Sequence, residues 1–474
     1  MRFCLRGDGL GRTSSTTAWC LIVLSTVLFL GGCATTQEGT GQCYYTLKSS
    51  QRALPKFEAY AINVESKEGS RLDVYLELSY RRIHFEKEQE LFTGSYSVSF
   101  VLRGADESVV RTRDIDRTVV ARTYTESVSA NHDAFLEEFP VPPGVYSLSI
   151  VATDNRSKLQ SRRRLKLTAR DFTKGGIAMS DYLLFERGRH ENGVISITPL
   201  FPADLSVAQD TIGMFQELYH VDRGDTVVLQ TRYAVNARKE GFGVMHPTFS
   251  PPYSPELPDC RREIDSTYYS SDSAFVVVAG GNIQIFQYLP RPREGVTALV
   301  RKVYRLHNGF VDSVTTLQKL PVYSRSFPRL RGIDEEITAI SLIARPDEYD
   351  LFARDSTPAL RTAELERFWE QHGGGIRRKE FLDRITEANE LFSSCSVGWK
   401  TPMGIVYIVC GPPDYVECRN TTDEIWAYDL GENVPLTFTF RQNLAVDVDK
   451  YFDLVPFSVN GIIWGQLLER WRRQ

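Results

Sequence analysis

From about residue 53 to 172 apolar and polar residues alternate one by one, a period of two that suits a half-buried β-strand and no helix. Leu72, Val74, Leu76 and Leu78 alternate with Asp73, Tyr75, Glu77 and Ser79. Tyr96, Val98, Phe100 and Leu102 repeat the pattern, and Val119-Val120 marks a third run. Pro142-Pro143-Gly144 is a turn signal before Val145 to Ala152, and a further short strand follows from Arg164. Many short strands divided by turn chemistry predict a β-sandwich.

The Pro-Pro-Gly-Val-Tyr-Ser-Leu hairpin resembles the late hairpin of immunoglobulin-like or fibronectin-like domains. A second β-rich stretch covers 173–328, with strands expected at Thr226 to Tyr233, Ala274 to Ala279, Asn282 to Tyr288 and Thr297 to Tyr304. Between them His246 to Cys260 (HPTFSPPYSPELPDC) has no usable period and reads as a long surface loop, either a ligand segment for a partner or an insertion packed on its own domain. After residue 329 the period turns helical. Thr357-Pro358 is an N-cap followed by proline at N1, and Leu365, Phe368, Trp369 and His372 follow i, i+3, i+4, i+7. Gly373-Gly374-Gly375 breaks that helix, and Phe381, Ile385, Ala388 and Phe392 stripe the next. Strands are expected again at Ile405–Cys410, Glu424–Tyr428 and Leu436–Phe440. The chain therefore reads as multidomain and β-rich: a β-sandwich-like (immunoglobulin-like) module over 53–172, a second over 173–328, and an α+β unit over 329–474.

The N-terminus reads as an address. Arg2, Arg6 and Arg12 precede the apolar run Ala18 to Leu30, which is of signal-peptide length and short for a membrane span. Leu30-Gly31-Gly32-Cys33 resembles a lipobox, which implies a signal peptide over 1–32, cleavage between Gly32 and Cys33, and acylation of Cys33; an ordinary secretory signal or an uncleaved anchor is the alternative. Residues 33–52 form the acylated cysteine and a polar tether. With Ala34 rather than aspartate after the cysteine, the enteric sorting rule gives an outer-membrane address. Five cysteines then remain besides Cys33: Cys43, Cys260, Cys395, Cys410 and Cys418. Cys410 and Cys418 flank a turn and could pair, or Cys395 could pair with either. The net charge of −4 provides no field for nucleic acid.

Gly398-Trp399-Lys400-Thr401-Pro402, with its surroundings GWKTPMGIVYIVCGPPD and DEIWAY, resembles the GWxTD-domain family of bacterial envelope proteins. The motif positions are Gly398, Trp399, Lys400, Thr401, Gly404, Gly411, Pro413, Asp414 and Trp426. The family's aspartate is replaced by Pro402. The resemblance implies an envelope location and no established reaction. As structure, Gly398 reads as a left-handed helix stop, and Pro402-Met403-Gly404 as a turn into a strand.

A functional reading gathers Arg384, Asn389, Lys400, Asp414 and Glu424 around one polar cleft for a carboxylate, glycan or peptide terminus. The plainer reading makes them surface ion pairs and caps. Seven histidines show no metal-ligand spacing, and no nucleophile elbow, Walker A or dinucleotide fingerprint occurs; no metal and no cofactor are expected. Arg162-Arg163-Arg164 reads as a solvated strand edge. Trp464, Leu468 and Trp471 stripe a terminal helix expected to dock on its own domain, with a membrane-interface or partner-docking helix as the alternative. The expected role is a non-catalytic interaction or scaffolding subunit, held to the membrane by lipid and meeting envelope proteins. The alternatives are a periplasmic enzyme on glycan or peptide, with Asp414 or Glu424 as acid/base, and a binding module for an envelope polymer.

Overall fold

The computed structural model describes residues 55–191, 194–201, 205–206, 208–235, 264–353, 357–419, 422–431, 435–443, 451–455 and 461–473, with the short strands Phe3–Leu5 (β1) and Cys43–Tyr45 (β2). Gly32, Cys33 and the loop His246 to Cys260 lie outside the described residues.

The alternation at Leu72–Leu78 builds the first pair of sheets. β3 (Phe57–Val64), β4 (Ser70–Ser79) and β8 (His132–Val141) form an antiparallel three-stranded sheet in that order. Facing it is a sheet ordered β10 (Gln160–Ala169), β9 (Gly144–Asp154), β6 (Leu91–Arg103), β5 (Phe85–Glu88), with β7 (Val109–Ala121) also pairing β6. The helical turn α1 (Tyr124–Ser127) lies between β7 and β8. Leu72, Val74, Leu76 and Leu78 pack against Val98, Phe100, Leu102, Leu148 and Ile150 in one core.

The second pair repeats the plan. One sheet runs β1, β13 (Val194–Pro199), β12 (Leu183–Glu191), β14 (Thr211–Val221), β11 (Ala178–Met179), with β17 (Gly281–Pro290) also along β14. Its partner runs β16 (Ser266–Val276), β15 (Thr226–Val235), β18 (Gly295–His307), β19 (Phe310–Val322). The strand expected at Ala274–Ala279 starts earlier and stops at Val276. The long strands β12, β14 and β19 had no expectation attached. β14 is buried on both faces along most of its length, so it carries no alternation to read.

That double burial has a cause. The second face of the β3-β4-β8 sheet is covered as well: Ile62, Val64 and Tyr75 join Leu183, Phe185, Ile197, Phe201 and Phe215 in a separate cluster. Asp73 is 2% exposed, with Arg71 donating to both its carboxylate oxygens at 2.6 and 2.8 Å. Tyr60 Oη donates to Tyr182 O at 2.6 Å, and Asp181 accepts from Asn63 N at 2.8 Å. Asp73, Tyr75 and Glu77 alternate as surface residues do, but they lie inside a stack of four sheets.

The C-terminal region holds α2 (Ile333–Ile340), α3 (Pro346–Ala353), α4 (Pro358–Gln371), α5 (Gly374–Phe392), a 3₁₀ turn (Gly398–Lys400) and α6 (Pro402–Cys410). A sheet follows, ordered β2, β20 (Tyr415–Arg419), β21 (Asp423–Tyr428), β22 (Leu436–Gln442), β23 (Phe452–Leu454), and then α7 (Gly461–Arg473). Thr357 caps α4, its side chain accepting from Leu360 N, with Pro358 at the start of the helix. Gly373, at φ +92°, separates α4 from α5.

Ile405–Cys410 is a helix, not the expected strand. Thr401 Oγ1 accepts from Gly404 N at 3.1 Å, Pro402 supplies the first-turn φ, and every residue from Pro402 to Val409 is buried. An element buried all round shows neither period, and β-branched residues pointed the wrong way.

The terminal helix α7 docks on its own domain. Trp464 meets Phe438, and Trp471 meets Trp369 and Phe381. Arg472 donates to Ile343 O and to both carboxylate oxygens of Glu348, so the last-turn cations serve as anchors. No helix among the described residues is long and apolar enough to cross a membrane.

Candidate functional site

The motif block is a clamp between α5 and α6. Gly398 is not a left-handed stop: it opens the 3₁₀ turn and lies directly on α5, where an added Cβ would fall 1.9 Å from Ala388 O. Gly404 is held equally close, 1.9 Å from Gly398 O. Thr401 Oγ1 donates to Gly398 O at 2.7 Å while accepting from Gly404 N. Gly398 N donates to Ser393 Oγ at 2.7 Å, and Trp399 N donates to Asn389 Oδ1 at 3.1 Å. The spacing Gly-x-x-Thr-x-x-Gly thus sets two close backbone approaches around one capping hydroxyl. Pro402 occupies the first position of α6, where its fixed φ favours the helix; a carboxylate there would act through the positive helix end instead.

Other motif residues pack or position. Trp399 is buried, with Lys400 Nζ 5.2 Å from its ring centroid. Trp426 is buried among Phe392, Tyr407 and Phe440. Gly411, at φ +78°, ends α6, and Tyr428 Oη donates to its carbonyl at 2.9 Å. Pro413 is buried beside it.

The expected polar cleft does not assemble. Arg384 donates to Ile408 O at 2.8 Å and to Glu380 Oε1 at 2.6 Å, tying α5 to the end of α6. Asn389 is 3% exposed and donates to Pro328 O at 2.7 Å, bridging the entry to this domain and the motif turn. Asp414 accepts from Asp429 N at 2.7 Å. Glu424 Oε1 accepts from the Trp426 indole at 2.6 Å, and burial raises its pKa against that hydrogen bond and the nearby Arg162. Tyr415 pairs with Ala427, so Asp414 lies abreast of Tyr428, four residues along β21 from Glu424. At about 3.3 Å per residue that is roughly 13 Å of backbone, so the two acids sit towards opposite ends of β21.

Two partnerships were missed. Glu336, 6% exposed, accepts from Trp369 Nε1 at 3.0 Å and from Arg378 at 2.8 and 2.9 Å. Its place between Ile333 and Ile340 at i+3 and i+4 put it on the apolar face, a legible signal for a buried acid. Glu387 accepts from Tyr407 Oη at 2.6 Å. His372 packs as expected, stacked on Phe368 with Nδ1 2.7 Å from Phe368 O. Cys410 is a free thiol whose pKa burial pushes up to about 12, so neither pairing proposed for it occurs. Cys395 is disulfide-bonded.

A concave site forms elsewhere, where three sheet edges and the C-terminal domain meet. It is a cleft of about 520 Å³ with Ala59 and Ala61 of β3, Leu165 and Leu167 of β10, Leu320 of β19 and Asn389 of α5 in its walls. Asn389 is the one member of the expected polar cleft that lines it. Arg163 and Arg164, read as a solvated edge, sit here with side chains 9% and 13% exposed, paired to Glu58 and Glu107. Gln442 Nε2 reaches Arg164 O at 3.5 Å, and Tyr323 Oη donates to Ser394 O at 2.5 Å across the same junction. Arg82 pairs with Glu390 beyond it. Asp222, Asp225 and His307 also cluster, at a turn between β14 and β15. There Asp225 accepts from Asp222 N at 2.8 Å and bonds His307 Nδ1 at 2.5 Å, while the exposed Asp222 carboxylate lies 4.0 Å from the same ring nitrogen.

Asn389→Ala should cost about 2–3 kcal/mol, since it leaves the buried Trp399 N–H and Pro328 C=O without their partner. Asn389→Asp keeps the acceptor and loses the donor, so it should fall between the two in urea unfolding; equal stability of all three proteins would count against this bridge.

Residues 306–473 match the GWxTD domain family. No curated protein matches the sequence. Among solved structures, a red sea bream transglutaminase aligns at 9% identity over 59% of this chain and 33% of that one, with a TM-score of 0.18. The chain thus spans about a third of that protein's length.

Proposed function

Residues 306–473 of this chain being a GWxTD domain, we propose that the protein is a lipid-anchored cell-envelope subunit with a non-catalytic interaction or scaffolding role. Its anchor would be Cys33, exposed by cleavage after Gly32, and its address the outer membrane. The observation that carries the reading is how the polar residues in and around the motif are used. Thr401, Arg384, Asn389, Asp414 and Glu424 each hold a backbone or indole group in place. A domain that employs its polar residues in this way is suited to presenting a fixed surface. The disulfide at Cys395 supports an oxidising compartment.

A second reading, a binding module for envelope glycan or peptide, is favoured by the cleft at the three-way junction, whose size falls within the range of ligand sites. Mild crosslinking of intact envelopes, followed by purification of the tagged chain in detergent, tests both. Discrete heavier species containing other envelope proteins are expected. A lone monomer would overturn the scaffold, and a monomer that retains envelope glycan or peptide would favour the binding module.

A further inference from the structure

We propose that the cleft at the three-way junction receives an extended peptide with acidic side chains, which adds to the free edge of β3 as an extra strand. The proposal rests on the second reading above and deepens it, choosing peptide over glycan and naming the mode of recognition.

The lining shows what the cleft looks onto. β3, β10 and β19 are each the last strand of their sheets. Residues 58–61, 163–167 and 318–321 line it in unbroken runs. A sheet face presents every second residue, whereas a strand seen edge-on presents all of them. The cleft therefore opens onto backbone edges, and such an edge is a template for another strand.

The hydrogen bonds of β3 give its phase. Asn63 N donates to Asp181 Oδ2 at 2.8 Å, and Asn63 O accepts from Asp181 N at 3.0 Å, so both main-chain groups of Asn63 point away from β4. Phe57 O, which accepts from Arg163 at 3.4 Å, points the same way. The pairing of β3 with β4 runs without a register shift. Ala59 and Ala61, in the same phase between those two, therefore also turn their N–H and C=O outward. Both line the cleft, and among the described residues neither has a partner for those groups.

Charge selects among peptides. Three lysines and two arginines line the cleft against two glutamates, and Arg163 and Arg164 pair with those glutamates. Lys166 is exposed on β10, next to the leucines of the wall. A lining of this sign is complementary to carboxylates. From the C-terminal domain comes Ser394, 4% exposed, whose hydroxyl has no hydrogen-bond partner. Buried polar groups are rarely left so, and a polar atom of a ligand would satisfy this one. Donors and acceptors at the spacing of a strand match the repeat of an extended peptide, which a chain of sugar rings does not share.

The test is fluorescence anisotropy with the full chain in detergent at low salt and four labelled probes. These are an end-blocked alternating Glu-Val octapeptide, its Lys-Val counterpart, the Glu-Val peptide N-methylated at its four central residues, and tetragalacturonate. The Glu-Val peptide is expected to bind, about tenfold or more tighter than the N-methylated form, which lacks main-chain donors. It should also bind more tightly than the Lys-Val peptide. Ala61→Pro removes one outward N–H and spares the ladder to β4, so it should weaken the Glu-Val peptide by about tenfold. Lys166→Glu should weaken it by about threefold, a difference that salt erases. Urea unfolding checks both variants; if Ala61→Pro does not fold, the N-methylated probe and Lys166→Glu still decide. Equal affinity for the parent and N-methylated peptides, or wild-type affinity in both variants, overturns the proposal. Tetragalacturonate bound in place of peptide overturns it and upholds the second reading, whereas no binding of any probe overturns both.

Discussion

Gly398→Ala should destabilise the C-terminal domain by about 3 kcal/mol or more, at the upper end of what overpacking costs. The new methyl would lie 1.9 Å from Ala388 O, 2.6 Å from Ala388 C and 2.8 Å from Asn389 Cα. All three are backbone atoms in a helix, so no side chain can swing away to make room. The 3₁₀ turn would have to lift off α5, breaking the bonds from Gly398 N to Ser393 and from Trp399 N to Asn389. Trp399 would lose its buried seat with them. Gly375→Ala is the control: an added Cβ there meets nothing within 4 Å, and alanine favours a helix over glycine by about 1 kcal/mol. Urea unfolding followed by tryptophan fluorescence should separate the two variants widely. If Gly398→Ala unfolds at the wild-type midpoint, the motif turn is not seated on α5.

The same residue shows what a sequence can and cannot reveal. The motif itself was legible, as were the breaks at Gly373, the cap at Thr357 and the stripe Phe381, Ile385, Ala388. Each is a local signal within one element. The reason for Gly398 was not, because a glycine required by close approach looks the same as one required by positive φ. Ile405–Cys410 failed for a related reason: complete burial erases the polar residues that would have marked a helical face. The grouping of Arg384, Asn389, Asp414 and Glu424 failed because convergence is a property of three dimensions, and the pairing of β20 with β21 sets Asp414 abreast of Tyr428, at the other end of β21 from Glu424. Asp73 and Tyr75 misled differently. Their alternation with Leu72 and Val74 gave the strand correctly, but it could not say that a second sheet covers the polar-looking face. The cleft drew on Leu165, Leu320 and Asn389, residues far apart in the chain, and nothing local joined them.

Phe185→Ala should cost about 3–5 kcal/mol, the usual range for emptying a buried aromatic site, and it should act on two modules at once. Phe185 is 1% exposed and sits edge-on to Phe286 and Tyr288, at 6.3 and 5.8 Å between ring centroids. Its ring fills the space over Gly213, where an added Cβ would lie 2.2 Å from it. Through the cluster with Ile62, Val64 and Tyr75 it joins the second pair of sheets to the first. Domains in one chain move relative to each other unless their interface is large and apolar, and this one is an apolar core with Arg71–Asp73 and Asn63–Asp181 bonds around it. Calorimetry of the wild-type chain should therefore show the two sandwiches melting together, and the alanine variant should split that transition as well as lower it. A wild-type chain that already melts in two steps, with Phe185→Ala shifting one of them by less than about 1 kcal/mol, would make the junction a hinge. A hinge there would remove the rigid frame on which a scaffolding role depends, because the C-terminal domain contacts both sandwiches through Arg82–Glu390 and Tyr323–Ser394 and keeps one position only if they do.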